Sequence, residues 1–367
     1  MKFPSLLEIA DEQQAVIDLP FHGAHVVTGA SGVGKTVMAV YRAWALATAR
    51  RRVTLFTRSN LLRQYISQAS PELTEFVEVT TFDRWIRQLW QSRFHAQPPC
   101  TDEDGWNYSW FEMHRDCILQ RITSSTHLVV DEAQDVPVHF YELCRTLGVG
   151  VTAFANEEQR IDDDHSTVAE ICRALAVQSD PIVLHENHRN TREIALLAAE
   201  FHGSVNRNPV HLPTQTGYRP GITRVPSLDH FLTEFAHYFQ AHKDHSIGII
   251  CRSTLLQREI QSRLTHLKLD QYTQAYVSND RYRADVNFPR FPILIVNTAS
   301  VKGLEFDSVF VPDLDTYTED PTTVLARLRL FLLCTRARKD LHFAYRGVRE
   351  PPILSGVSES LLTRRDG

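Results

Sequence analysis

Gly29-Ala-Ser-Gly-Val-Gly34-Lys35-Thr36 sets three glycines, a lysine and a hydroxyl side by side, after an apolar run and at the start of a helical pattern. Gly29, Gly32 and Gly34 let backbone N–H groups approach and cradle phosphate oxygens, and the helix N-terminus adds its dipole. Lys35 suits the β- and γ-phosphates, and Thr36 suits Mg²⁺ through its hydroxyl. A second run, Leu128-Val-Val-Asp131-Glu132, ends an apolar strand in adjacent carboxylates. Asp131 suits the Mg²⁺ anchor, and Glu132 suits a base that orients and deprotonates a water. Such chemistry implies ATP with Mg²⁺ and attack of water on the γ-phosphate.

Groups this far apart in sequence need a scaffold that gathers strand ends. Short apolar runs at His25–Thr28, Val53–Thr57, Val77–Thr80, His127–Asp131 and Val151–Ala155 alternate with helical patterns such as Thr36–Ala49 and Val138–Leu147. This rhythm predicts an α/β fold with a parallel sheet covered on both faces. It restarts after Asp180-Pro181, with strands expected at Ile182–Leu184, Gly221–Val225, Ser246–Cys251, Ile293–Thr298, Ser308–Pro312 and Leu341–Tyr345. Helices are expected between them at Asn190–His202, Leu228–His242 and Thr254–Leu267. The expected organisation is a first domain over 1–179, a second over 180–347 and a loose tail over 348–367. A polar stretch inside an aromatic-rich surround, about 92–112, reads as a short insertion in the first domain. The stretch 271–290 also breaks the rhythm.

Composition narrows the class. The chain has 367 residues, 43% hydrophobic and 23% charged, which excludes a mainly disordered chain or a disulfide-stapled miniprotein. A formal net charge of −5 excludes a globally basic nucleic-acid coat but not a local basic track. Six scattered cysteines without a C-x-x-C pair read as reduced core residues in a cytoplasmic protein, and no run is long enough for a membrane span. Seventeen histidines lack zinc-ligand spacing.

With Asp131-Glu-Ala-Gln-Asp135 in place, the chain resembles the UvrD/Rep type of superfamily 1 DNA helicases, in that family's motif order from about residue 9 to residue 345. The resemblance implies two tandem RecA-like P-loop NTPase domains with parallel sheets. It implies that Gln13 reads adenine, that Gln159 senses the γ-phosphate, and that Arg189 and Arg336 stabilise the developing charge alongside Lys35, with Glu132 as the base. Lys302-Gly303-Leu-Glu305-Phe and Cys334-Thr-Arg336-Ala-Arg338 match closely, which adds Gly303 and Glu305 to the nucleotide-binding set. Thr57, Arg58, Thr81 and Phe82 occupy motifs that usually face single-stranded DNA. The implied activity is ATP-driven translocation or unwinding with 3′→5′ polarity.

The sequence also departs from that pattern. His188 stands where an adenine-stacking tyrosine is usual, Asp162-Asp-Asp164 where aromatic and basic residues are usual, and Ala299 where a histidine is usual. The intervals 86–126 and 190–296 leave the accessory insertions 1B and 2B minimal or absent. Trp106, Tyr108 and Trp110 offer base stacking or a small hydrophobic core; Arg281, Tyr282 and Arg283 offer a phosphate clamp or a solvated loop. An alternative function follows: a regulatory ATPase subunit beside a partner nuclease or other protein, as in bacterial antiviral defence complexes, with little unwinding alone.

Overall fold

The computed structural model describes residues 9–57, 59–102, 105, 107–156, 166–201, 212–277 and 285–367, with only the backbone of Leu73. Arg58, Trp106, Gln159, Asp162–Asp164 and Arg281, Tyr282 and Arg283 lie outside the described residues. Two compact units divide the chain, Lys2–His185 and Glu186–Gly367. Both are α/β with parallel sheets, the expected class.

The first unit opens with helix α1 (Asp11–Ile17), strand β1 (Ala24–Gly29), α2 (Lys35–Thr48) and β2 (Val53–Thr57). It continues through α3 (Asn60–Ala69), α4 (Pro71–Phe76), β3 (Glu78–Thr81), α5 (Phe82–Phe94) and α6 (Trp110–Leu119). It closes with β4 (His127–Val130), α7 (Val138–Leu147), β5 (Gly150–Ala155), α8 (Val168–Ala174) and β6 (Ile182–Leu184). Its sheet runs β3-β2-β4-β5-β1-β6, every pairing parallel. Every residue of β2 and β4 is buried, as strands covered by helices on both faces require. Each Leu, Val or Phe taken fully out of water there contributes about 1.5–3 kcal/mol.

The second unit comprises α9 (Arg192–Glu200), β7 (Gly221–Arg224), α10 (Leu228–Ala241), β8 (Ile247–Cys251), α11 (Thr254–His266) and β9 (Thr273–Tyr276). Then come β10 (Ile293–Asn297), β11 (Phe306–Val311), α12 (Val324–Cys334), β12 (Ala337–Tyr345), α13 (Pro352–Ser355) and β13 (Thr363–Asp366). The strand order is β13-β7-β12-β11-β8-β10-β9. Local chemistry starts several of these helices. Ser227, Ser253 and Thr323 each accept an N–H of the first turn through the hydroxyl, satisfying a donor that has no partner within the helix.

Three sequence expectations are corrected. Ile182–Leu184 does not begin the second set of strands. It pairs with β1, from Val27↔Ile182 to Gly29↔Leu184, and the Glu12 carboxylate accepts the next N–H, that of His185, at 2.9 and 3.1 Å. The two units meet at 185/186, after this strand rather than before it. The segment 348–367 is not a loose tail: Leu354 and Leu362 are buried, and β13 pairs with β7. Arg364 fastens it, donating to Glu350 at 2.7 and 3.0 Å and to the carbonyl of Val357 at 2.9 Å. Finally, β9 lies within the stretch 271–290, where no strand is expected.

Around the short insertion, Trp85, Trp90, Tyr108 and Met113 belong to one core with Phe56 and Phe140 of the sheet and α7. A bridge from Cys100 to Tyr108 closes the turn, and the Tyr108 hydroxyl donates to Asp83 at 3.2 Å. Trp85, Trp90 and Tyr108 thus extend the main core rather than form a separate one.

Candidate nucleotide site

β1 ends at Gly29 and α2 begins at Lys35, so the glycine-rich turn joins a strand end to a helix start. Gly32 (φ +98°) and Gly34 (φ +86°) sit in the left-handed region that L side chains avoid. Gly29 is required for a second reason: a Cβ there would lie 2.4 Å from the carbonyl oxygen of Leu184 in β6. The Lys35 ammonium folds back over the turn, donating to the carbonyls of Gly29 at 2.6 Å and Ala30 at 2.7 Å.

Gln13 reaches the same turn from α1. Its Nε2 donates to the Val33 carbonyl at 3.1 Å, and its Oε1 accepts the Ala10 N–H at 3.3 Å. The stretch after α1 is tied to α2 by Arg42, whose side chain is wholly buried. Its guanidinium donates to the carbonyls of Ile17 at 3.3 Å, Leu19 at 2.6 Å and Pro20, and lies over the Phe21 ring. Burial pushes its pKa down to about 10, so the group still carries its charge at neutral pH. Arg42→Leu strands those carbonyls without a donor. The expected loss is about 2–4 kcal/mol of unfolding free energy, read from urea titrations; an unchanged midpoint refutes the clamp.

The acidic pair follows β4. In the sheet, β5 lies between β4 and β1, and all three are parallel, so their carboxyl ends share one edge. That edge is where open parallel sheets take ligands. Asp131 is 4% exposed; one oxygen, Oδ1, accepts the Glu132 N–H at 3.1 Å, and Oδ2 is buried without a hydrogen-bond partner. Burial, and then the Glu132 charge, pushes the Asp131 carboxyl up to about 7, against the nearby Thr36 hydroxyl and the Lys35 charge, which act downward. A buried carboxylate oxygen beside a threonine hydroxyl and short of positive charge fits a divalent cation.

Glu132 adopts φ +53°, ψ +45°, a left-handed conformation that costs a non-glycine residue about 1–2 kcal/mol. Gln134 Nε2 donates to Glu132 Oε2 at 2.6 Å.

Within the second unit, three distant segments converge. Asn187 Oδ1 accepts the N–H groups of Arg189 (3.0 Å) and Asn190 (3.3 Å), shaping the turn before α9. Asn190 Nδ2 in turn donates to the Ala337 carbonyl at 2.5 Å. Arg189 ion-pairs with Glu305 and donates to the Thr335 carbonyl at 3.4 Å. Gly303, at φ +85°, turns the chain just before Glu305. Arg336 is 3% exposed and donates to the carbonyls of Leu304 (3.1 Å) and Leu332 (3.2 Å) and to the Thr335 hydroxyl (3.1 Å). Arg189, Glu305 and Arg336 are thus gathered at the entry ends of β11 and β12. His188 stands beside Glu186, 3.6 Å away.

The described candidates for nucleic-acid contact are placed differently. Thr57 is 2% exposed and its hydroxyl donates to the Ser59 carbonyl at 3.2 Å. Thr81 precedes α5, half-buried. The Phe82 ring packs edge-on against Phe140, with centroids 5.1 Å apart, and lies near Tyr108 and Trp110. Sequence reading missed Arg42 and Gln134: an arginine amid apolar helix residues and a glutamine after two acids carry no local signal of their tertiary partners.

No family model and no curated protein matches this chain. Among solved structures, the chain is similar to the C-terminal domain of a possible DNA helicase from Lactobacillus plantarum WCFS1, with 21% identity and a TM-score of 0.37 over 49% of this chain and 99% of that one.

Proposed function

We propose that this chain is a Mg²⁺-dependent ATP hydrolase of the UvrD-like single-stranded-DNA translocase or helicase type, with 3′→5′ polarity. One observation carries the reading: the glycine-rich turn and the acidic pair share a sheet edge, where the buried Asp131 carboxyl keeps one oxygen without a hydrogen-bond partner. Thr36 and Asp131 would hold Mg²⁺, which when bound neutralises charge on the phosphate oxygens. The turn's N–H groups receive the phosphates, and Lys35 exchanges its loop carbonyls for phosphate oxygen. Gln13, already against the turn, is the adenine-reading candidate. Glu132 takes the proton of the attacking water. Gln159 is the candidate γ-phosphate sensor. Arg189, Glu305, Gly303 and Arg336 are the second unit's candidates for the nucleotide, the two arginines matching the charge that develops on the equatorial oxygens.

Supporting a second reading, a regulatory ATPase subunit that needs a partner such as a nuclease, is the placement of Thr57 and Phe82. Both are engaged in packing or local bonding. ATP turnover, measured with and without single-stranded DNA or RNA across a salt series, separates the two. A motor is expected to be stimulated about tenfold or more by the strand at low salt, with stimulation falling as salt rises. Turnover that stays silent until a protein partner is added favours the regulatory subunit. No turnover under either condition ends both.

A further inference from the structure

Gln134 is 2% exposed and every polar group of its side chain is engaged. Its Oε1 accepts the backbone N–H of Asn156, at the end of β5, at 2.9 Å. A backbone N–H can bond only to the amide oxygen, so the orientation of the amide is fixed and its NH₂ must face Glu132. There it donates to Glu132 Oε2 at 2.6 Å, a short charge-assisted bond. The main-chain carbonyl of Gln134 accepts the Ser166 N–H at 2.9 Å, and the Ser166 hydroxyl donates to the Val136 carbonyl at 2.7 Å. The Tyr141 hydroxyl, buried beneath, donates to the Ala133 carbonyl at 2.6 Å. The 3₁₀ turn Ala133–Asp135 is therefore pinned from β5, from the start of α8 and from α7.

From this geometry we infer that Gln134 is a positioning residue for ATP hydrolysis, acting through Glu132; the inference rests on the hydrolase reading above. Glu132 sits on a strained left-handed turn with a flexible side chain. A water must meet one carboxylate oxygen within hydrogen-bonding distance and in line with the γ-phosphorus. Gln134 holds the other oxygen, which fixes rotation about the last side-chain bond and fixes which oxygen faces the water. It makes no demand on the phosphate-holding turn, which Lys35 and Gln13 brace separately. Its loss should therefore slow the chemical step and leave nucleotide affinity alone.

Two substitutions test this in the full chain. Gln134→Leu removes donor and acceptor; Gln134→Glu keeps the acceptor for Asn156 and replaces the amide donor with a second carboxyl against Glu132, which repels that carboxylate or shares a proton with it. Both are expected to lower kcat about tenfold or more while KM for ATP and the affinity for a fluorescent ATP analogue stay within about twofold. The decisive measurement is coupling. In a Glu132→Gln background, either Gln134 change should leave the residual turnover unaltered, because a residue that acts only through the carboxylate has nothing left to position. Wild-type kcat in Gln134→Glu overturns the inference. So does a full tenfold loss on top of Glu132→Gln, or a matched rise in KM, since each points to general damage. Should Gln134→Leu not fold, Gln134→Glu, which retains the Asn156 bond, decides alone. Failure of the hydrolase reading looks different: wild-type turnover would then be absent or indifferent to Lys35→Ala.

Discussion

Lys35→Ala is expected to reduce ATP turnover by a factor on the order of 10³, close to the background of a phosphate-release assay. Two losses add. The ammonium now bonds the carbonyls of Gly29 and Ala30, so its removal leaves the curled turn without its internal brace. The same cation would otherwise meet the β- and γ-phosphates, where negative charge accumulates as the terminal bond stretches. Lys35→Arg should rescue little. A planar guanidinium is bulkier than an ammonium and cannot point all its donors into so tight a turn. Nucleotide binding should weaken together with turnover, because the interaction is made in both ground and transition states. Turnover within about threefold of the wild type would remove the glycine-rich turn from the chemistry and leave it a strand–helix connection.

Glu132→Gln should produce a comparable fall in turnover, on the order of 10²–10⁴, by a different route. The substitution keeps shape and size, so the left-handed turn and the neighbouring amide of Gln134 can persist. What disappears is the proposed base. Affinity for a fluorescent ATP analogue should hold within about twofold, and the chain should accumulate in a nucleotide-loaded state. The contrast with Lys35→Ala is the informative part: one variant loses binding and chemistry, the other chemistry alone. Unchanged turnover in Glu132→Gln would mean that another group accepts the proton.

Much of the candidate site's local geometry could be read from the linear chain because its determinants are local. A glycine-rich turn between strand and helix must appear as contiguous letters, and an acidic pair at a strand end must follow an apolar run. The central strands were equally plain, since burial on both faces writes itself as Val-Val-Thr or Leu-Val-Val. Edge strands were harder. Thr363–Asp366 reads Thr-Arg-Arg-Asp, polar on both faces, and only its pairing with Gly221–Arg224 makes it a strand. Ile182–Leu184 is apolar but follows Asp180-Pro181, a pair that reads as a linker; the parallel register with Val27–Gly29 is a tertiary fact. Arg42 and Gln134 escaped for the same reason. The groups that fix them in place are backbone atoms 22 to 25 residues from Arg42 and 22 from Gln134, and backbone groups carry no residue letter.

The pairing of Ile182–Leu184 with β1 bears on where the first unit can be cut. A fragment ending at 179 would lack that strand and bare the outward row of amides and carbonyls on Val27–Gly29, beside the glycine-rich turn. An uncovered strand flank of this kind recruits strands from other molecules. The same excision takes away the Leu184 carbonyl that crowds the first glycine, so the turn would lose a wall as well as a neighbour. A fragment carried through His185 keeps both, together with the Glu12 carboxylate that ties the new terminus down.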